Sequence, residues 1–103
     1  MKNYIIWITG ISGAGKSLLG SNLKKKLKNF VKIDGDEFRK LFKNDLGYTI
    51  KDRNTNAERL ISIIGYLYHQ NVNLIVAANI TSPKYLSLCK RKFKRFLHIH
   101  IDA

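Results

Sequence analysis

A segment near the N-terminus has the residue types and spacing needed to bind phosphate. Residues 10–17 read GISGAGKS and match G-x-x-x-x-G-K-[ST] at every fixed position. Glycines let a backbone pass close to phosphate oxygens, and backbone amides ahead of a helix offer donors to an anion. The pattern predicts a phosphate loop for a nucleoside triphosphate, in which Lys16 bridges the β- and γ-phosphates and Ser17 ligates Mg²⁺. The residues expected to contact the triphosphate are Gly10, Ser12, Gly13, Ala14, Gly15, Lys16 and Ser17.

Two acidic residues, Asp34 and Asp36, follow a short apolar run that is typical of a second strand. In an open α/β sheet, ligands bind at the carboxyl ends of the strands. A carboxylate there can hold Mg²⁺ through water or orient the hydroxyl of a phosphate acceptor. A structural role is the alternative, in which Asp34-Gly35 forms a turn and Asp36 caps the next helix.

A group of polar side chains repeats every three residues further along the chain: Arg53, Asn56 and Arg59. This spacing puts them on one face of a helix, where both guanidinium groups can point at one anion. A solvated helix face with Asp52 as its N-cap is the alternative. Tyr48, in the loop ahead of this helix, either packs on the core or stacks on a base.

The elements that must position these residues alternate between strands and helices. Apolar runs predict strands at 4–9, 30–33, 73–78 and 96–101, and helical spacing predicts helices at 16–28, 36–43, 52–70 and 84–92. Their order predicts an α/β fold, a P-loop NTPase-type parallel sheet with helices on both faces. Asp52 is expected to cap the longest helix, and the buried sides of the first two helices are expected to include Leu18 and Leu41.

The composition excludes several other classes of protein. A chain of 103 residues with 45% hydrophobic and 25% charged residues is expected to form one globular domain. One cysteine, Cys89, excludes an internal disulfide and a cysteine-rich zinc site, and is expected to be a buried thiol. No apolar run is long enough to span a bilayer and no signal peptide is recognisable, which predicts a soluble cytoplasmic protein.

The net charge of +12 indicates an anionic partner: nucleic acid, a membrane surface or a phosphate-rich small molecule. Two basic clusters, at 24–28 and 90–95, are expected to be solvated helix faces. No RNP, zinc-finger or KH signature is present, and the guanine-specificity pattern N-K-x-D is absent. We therefore expect a small-molecule substrate and neither nucleic acid nor membrane. His98 and His100 are expected to face one side of the last strand rather than bind metal.

Four blocks behind the phosphate loop resemble the adenylyl-sulfate kinase (APS kinase) family, in the same order. They are 33–39 (IDGDEFR), 44–48 (NDLGY), 52–59 (DRNTNAER) and Ser82-Pro83. The resemblance implies ATP and Mg²⁺ as ligands. It also implies phosphorylation of the 3′-hydroxyl of adenylyl sulfate, giving 3′-phosphoadenylyl sulfate and ADP in sulfate activation.

The resemblance further implies a role for each matching residue. Asp36 lies near the transferred phosphoryl group and Mg²⁺, and Tyr48, where Phe is usual, stacks on the substrate adenine. Arg53 and Asn56 contact the sulfate–phosphate group, and Ser82 corresponds to a phosphoserine of some members. The candidate catalytic residues are Lys16, Asp36 and Ser82, the candidate metal ligands are Ser17 and Asp36, and the candidate substrate-binding residues are Asp36, Arg39, Tyr48, Arg53, Asn56 and Arg59.

Two departures from the family pattern bear on function. The segment 79–83 (NITSP) replaces Ala-aromatic-Ile-Ser-Pro at the acceptor pocket, so another nucleotide conjugate, such as cytidine diphosphoramidate, is the alternative acceptor. The lid helix of the family is missing after Asp102-Ala103, which predicts an incomplete domain, truncated after four strands, with weak or no activity. An inactive nucleotide-binding fragment is therefore a further alternative. Family members are commonly dimers, so a homodimer is expected.

Overall fold

The computed structural model describes residues 2–10, 15–80 and 82–102. In chain order the elements are β1 (Ile5–Gly10), α1 (Lys16–Lys26), β2 (Phe30–Asp34), α2 (Gly35–Leu41), α3 (Ile50–His69), β3 (Asn73–Ala77), α4 (Pro83–Lys92) and β4 (Phe96–Ile101). The strands form one parallel sheet in the order β2-β3-β1-β4. The predicted α/β class and the predicted order of elements are confirmed.

The register brings the carboxyl ends of three strands to one level. Ala77 of β3 pairs with Ile8 of β1 on one side and with Asp34 of β2 on the other. Both β1 and β3 lie inside the sheet, and their apolar runs are buried on both faces. Because all strands run in the same direction, α1, α2 and α4 start from one edge of the sheet. This is the edge at which open α/β sheets bind ligands.

Two separate cores lie on the two faces of the sheet. In the larger core, Trp7 and Val76 pack against residues of α2, α3 and α4, and the indole Nε1 of Trp7 donates a hydrogen bond to the Ala78 carbonyl at 2.8 Å. An apolar face of α3 lies against this core and buries Leu60 and Ile64. The smaller core consists of Ile8, Phe30 and Ile75 packed against Leu19 and Leu23 of α1 and against Leu27, the C-cap residue of α1.

The structure corrects several predicted details of the helices. Leu18 of α1 is 66% exposed and Leu41 of α2 is 78% exposed, so neither lies on a buried side. Thr49, not Asp52, is the N-cap of α3, and its hydroxyl accepts the Asp52 amide at 3.1 Å. The Asp52 carboxylate instead accepts the backbone N–H of Gly47 at 2.8 Å. This bond ties the preceding loop to the first turn of α3.

Other expectations drawn from composition are confirmed. Cys89 is a free, fully buried thiol, and its burial raises the pKa of the thiol to about 11. The basic clusters are largely exposed, as Lys25 and Lys26 illustrate. None of the helices in the described part of the chain has the length and apolar character of a membrane-spanning segment.

Candidate active site

A cavity of about 390 Å³ opens at the carboxyl edge of the sheet. Four parts of the fold form its wall: the start of α1, the junction of β2 with α2, the loop before α3 with the first two turns of that helix, and the end of β3. The lining residues are Lys16, Ser17, Asp34, Gly35, Asp36, Arg39, Tyr48, Arg53, Asn56, Ala77, Ala78 and Asn79. Candidate residues from the phosphate-loop motif and from three of the four blocks behind it therefore surround one space.

Ser17 and Asp34 form a pair of oxygen groups in this cavity. The hydroxyl of Ser17 donates a hydrogen bond to Oδ2 of Asp34 at 2.8 Å. Partial burial raises the pKa of Asp34, but the Ser17 hydrogen bond, the amides of Glu37 and Asp36, and the charge of Lys32 outweigh it and hold the pKa below its usual value. The carboxylate is therefore ionised at neutral pH. Hydroxyl and carboxylate oxygens are ligands that Mg²⁺ prefers.

Asp34 also builds the junction between β2 and α2. It is the N-cap of α2, and its Oδ1 accepts the amides of Asp36 at 2.9 Å and Glu37 at 3.3 Å. The alternative that Asp36 caps this helix is therefore wrong, and Asp36 lies exposed at the cavity wall. From the sequence, Asp34 and Asp36 both follow the second predicted strand, but the candidate metal and catalytic roles are assigned to Asp36 and not to Asp34. Its place as the last residue of β2 is the signal that identifies it, because that residue reaches the ligand edge of the sheet.

The ends of the phosphate-loop motif are held by hydrogen bonds. Nζ of Lys16 donates to the Gly10 carbonyl at 3.3 Å, and the Gly10 amide donates to Oδ1 of Asn79 at 2.9 Å. Gly15 is the N-cap of α1 with φ of 91°, a conformation that glycine adopts without strain. The remaining residues expected to contact the triphosphate lie outside the described part of the chain: Ser12, Gly13 and Ala14.

Arg39 and Tyr48 lie together on another part of the wall. The guanidinium carbon of Arg39 is 4.4 Å from the centre of the Tyr48 ring, and Nη1 donates to the carbonyls of Leu46 at 3.3 Å and Gly47 at 3.2 Å. Tyr48 is 67% exposed, so the alternative that it packs in the core is wrong. An exposed aromatic ring held by a guanidinium group can stack on a planar ligand.

Arg53 and Asn56 line the cavity from the first turns of α3. The side-chain oxygen of Asn56 is buried and has no hydrogen-bond partner among the described residues. A buried oxygen of this kind destabilises the fold, because it has lost its hydrogen bond to water and no hydrogen bond within the described residues replaces it. The residue that carries this oxygen belongs to the cavity wall.

Among the described candidates outside the phosphate-loop motif, two do not line the cavity. Arg59 donates to both carboxylate oxygens of Asp45, at 3.1 and 3.2 Å, and its guanidinium carbon lies 4.1 Å from the centre of the Phe42 ring. These hydrogen bonds lower the pKa of Asp45. Ser82 is the N-cap residue of α4, directly before Pro83. The described residues that line the cavity include neither Arg59 nor Ser82.

A small polar network lies beside the first residue of the motif. Nε2 of His98 and Nδ1 of His100 are each 2.8 Å from Oγ1 of Thr9, so both rings face the same side of β4, as expected. Burial, together with the charges of Lys90 and His100, lowers the pKa of His98. Within residues 2–10, 15–80 and 82–102, no group of three or more His, Cys, Asp or Glu side chains could hold a metal ion.

Comparison with protein families gives a match over almost the whole chain. The family described as adenylylsulphate kinase matches residues 2–103. An adenylyl-sulfate kinase from Deinococcus deserti is 38% identical over 78 residues, which cover 72% of this chain and 43% of the relative. One from Buchnera aphidicola is 31% identical over 110 residues, covering 99% of this chain and 52% of the relative. The chain therefore spans about half the length of these curated relatives.

Solved structures agree on the fold. An APS kinase from Mycobacterium tuberculosis, in complex with AMPPNP and APS, superposes with a TM-score of 0.82 at 26% identity. The superposition covers 96% of this chain and 62% of that structure. The parallel sheet and the helices of this chain thus share the fold of the part of that kinase with which they superpose.

Proposed function

This chain belongs to the adenylylsulphate kinase family, and on that premise we propose that it moves the γ-phosphoryl group of ATP to the 3′-hydroxyl of adenylyl sulfate. The products are 3′-phosphoadenylyl sulfate and ADP. The observation that carries the proposal is that one cavity joins Lys16 and Ser17 of the phosphate-loop motif to Arg53 and Asn56 of α3. Transfer requires the reacting atoms of donor and acceptor to come within about 3–3.5 Å, so both must share one space.

On the donor side, the residues present fit a magnesium-bound triphosphate. Lys16 supplies a positive charge, and Ser17, Asp34 and Asp36 supply oxygen ligands of the kind Mg²⁺ takes alongside phosphate oxygens. When bound, the metal neutralises charge on the transferred group and orients it. The lowered pKa of Asp34 favours this role, because the carboxylate stays ionised at neutral pH.

On the acceptor side, the cavity offers groups that match the parts of adenylyl sulfate. Tyr48 is an exposed ring for the adenine, and Arg53 is a donor for the phosphosulfate. The oxygen of Asn56, which no described residue partners, can only accept a hydrogen bond, so an ionised sulfate does not satisfy it. A hydroxyl or amino group of the acceptor does.

In the proposed mechanism, the chain's own residues align the acceptor hydroxyl and receive its proton. The hydroxyl oxygen forms a bond to the γ-phosphorus while the bond from that phosphorus to the bridging oxygen of ADP breaks. Asp36, exposed at the cavity wall, orients the hydroxyl and takes its proton. Lys16 balances the charge that develops on the bridging oxygen. Ser82 takes no part in this direct transfer, so phosphorylation of Ser82 during turnover would contradict it.

The test combines ligand binding with turnover. Calorimetry with AMPPNP and Mg²⁺, and separately with adenylyl sulfate, is expected to detect both ligands, and Lys16→Ala is expected to weaken AMPPNP binding roughly tenfold or more. ADP release is then compared with adenylyl sulfate and with cytidine diphosphoramidate as acceptors. Faster release with adenylyl sulfate supports the proposal, whereas nucleotide binding without release from either acceptor supports the alternative of an inactive nucleotide-binding fragment. An unchanged AMPPNP affinity in Lys16→Ala contradicts the donor site, and a preference for cytidine diphosphoramidate contradicts the acceptor.

A further inference from the structure

Asn79 takes over a hydrogen bond that the sheet backbone would otherwise make. The last regular bond from β3 to β1 runs from the Ala78 amide to the Ile8 carbonyl at 3.1 Å. In a parallel ladder the next bond would join the Gly10 amide to the Ala78 carbonyl. That carbonyl instead accepts the indole N–H of Trp7 at 2.8 Å, and the Gly10 amide donates to Oδ1 of Asn79 at 2.9 Å.

This bond fixes which way the Asn79 amide group points. The Gly10 amide is a donor, so the atom facing it must be the side-chain oxygen, and the NH₂ group is left as the other polar end. Asn79 is exposed and lines the cavity that Lys16 and Arg53 also line. An amide NH₂ can only donate, so it suits phosphate, sulfate or ribose oxygens in that space.

We propose that Asn79 is a positioning and specificity residue for the transfer. Its oxygen holds the first amide of the phosphate-loop motif, and its NH₂ group donates to an oxygen of the ligand in the shared cavity. One side chain thus connects the loop with the acceptor pocket. The identity of that ligand oxygen rests on the proposed function, whereas the hold on Gly10 does not.

The chain contains a matched control for this contact. Oδ1 of Asn73, at the opposite end of β3, accepts the backbone amide of Tyr4 at 2.9 Å. Asn73→Ala therefore removes the same kind of asparagine-to-backbone bond between β3 and the β1 side of the sheet, but at the edge away from the cavity. Effects that appear in Asn79→Ala and not in Asn73→Ala therefore arise from the position of Asn79 at the cavity rather than from the loss of an asparagine-to-backbone hydrogen bond in general.

The first measurement is amide hydrogen exchange at Gly10 by NMR, which needs no ligand. Asn79→Ala is expected to speed exchange at Gly10 roughly fivefold, because one hydrogen bond is lost. Asn79→Asp retains an accepting oxygen and is expected to restore protection, and Asn73→Ala is expected to leave Gly10 unchanged. Equal Gly10 exchange in the wild type and in Asn79→Ala would overturn the proposal.

The second measurement is the affinity for adenylyl sulfate by calorimetry. Asn79→Ala is expected to weaken it roughly fivefold, and Asn79→Asp to weaken it further because a carboxylate repels the anion. Gly10 protection and affinity thus separate in Asn79→Asp, which a general loss of stability cannot produce. Unchanged affinity in Asn79→Ala overturns the specificity role. If the wild type binds no adenylyl sulfate, the proposed function fails, and the exchange at Gly10 still decides whether Asn79 holds the loop.

Discussion

The hydroxyl of Ser17 at the start of α1 and the carboxylate of Asp34 at the end of β2 are joined by a hydrogen bond of 2.8 Å. The other oxygen of Asp34 accepts the amides of Asp36 and Glu37 and so caps α2. The helix cap thereby fixes the direction of the carboxylate. One side chain connects the phosphate-loop motif with the segment that carries the candidate acceptor residues.

The two roles of Asp34 can be separated by substitution. Asp34→Ser keeps a good N-cap, whereas Asp34→Ala does not, so Asp34→Ala is expected to lower the free energy of unfolding by about 1 kcal/mol more than Asp34→Ser. Both variants lose the carboxylate, so both are expected to lose the Mg²⁺-dependent part of AMPPNP affinity. Urea unfolding and calorimetry with and without Mg²⁺ measure the two effects.

Ser17→Ala is the control for this pair, because it removes the hydroxyl and leaves the α2 cap in place. It is expected to weaken Mg²⁺-dependent binding with little change in unfolding. Full Mg²⁺ dependence in Asp34→Ser would show that the carboxylate does not serve the metal.

Arg53 and Arg59 provide a second, internally matched comparison on α3. Arg53 lines the cavity, whereas Arg59 is bound to Asp45 and stacked over Phe42. Arg53→Ala is expected to weaken adenylyl sulfate binding roughly tenfold or more, since a charged donor is lost. Arg59→Ala is expected to leave this affinity unchanged and to lower the thermal midpoint, because it frees the loop that carries Asp45.

The measurement is calorimetry with adenylyl sulfate on both variants, together with thermal unfolding. Added salt is expected to reduce the stability difference between the wild type and Arg59→Ala, because the pair with Asp45 is exposed. Comparable losses of affinity in the two variants would show that Arg59 also takes part in binding adenylyl sulfate.

The spacing of Arg59 predicts a helix face shared with Arg53, but in the structure Arg53 lines the cavity and Arg59 binds Asp45. Six residues along a helix correspond to about 9 Å of rise and about 120° of net rotation, so Arg59 cannot keep the direction of Arg53. Local spacing suggests a shared face, but Asp45, in a separate loop, determines the actual partner. The exposure of Leu18 and Leu41 has a related cause, since helical spacing does not show how far each face of the sheet is covered.

The order of elements and the ligand edge could be predicted, because continuous apolar runs such as 4–9 and 73–78 alternate with helical patterns. The contacts that Asp34 and Asn79 make could not be predicted from the sequence. Asp34 meets Ser17, and Asn79 meets Gly10, across 17 and 69 positions of sequence. Each pairing depends on the strand order, which a local pattern does not contain.

Asn56 is expected to lower the stability of the fold while it strengthens the binding of adenylyl sulfate. Its buried oxygen lacks a partner among the described residues, so Asn56→Ala is expected to raise the free energy of unfolding by up to about 1 kcal/mol. The same variant is expected to weaken adenylyl sulfate binding, because the oxygen no longer accepts from the ligand. Urea unfolding and calorimetry measure the two quantities.

Asn54→Ala controls for the higher helix propensity of alanine, since Asn54 lies on the same helix and is not one of the lining residues. The increase in stability should be larger in Asn56→Ala than in Asn54→Ala. A clear loss of stability in Asn56→Ala would mean that its oxygen is satisfied in the folded chain.

His98 is expected to make the fold less stable in mild acid. Burial, with the charges of Lys90 and His100, lowers the pKa of His98 below its ordinary value of 6.5, so folding favours the neutral ring. Above 6.5 both folded and unfolded chains carry a neutral ring, and the contribution to stability is fully present. As the pH falls below 6.5 the unfolded chain binds the proton first, so this contribution declines until the folded pKa is reached.

Urea unfolding at a series of pH values from about 7.5 down to about 5, which brackets the ordinary pKa of histidine, tests this expectation. The free energy of unfolding of the wild type should fall with decreasing pH, and His98→Gln, which has no ionisable ring, should show a shallower fall. Thr9→Val serves as the control, because it keeps His98 and removes the hydroxyl that lies 2.8 Å from its Nε2. It should show the same fall as the wild type, since burial comes first among the causes that lower the pKa of His98. If His98→Gln and the wild type lose stability equally, another group governs the acid response, because the burial of His98 would then have no energetic consequence.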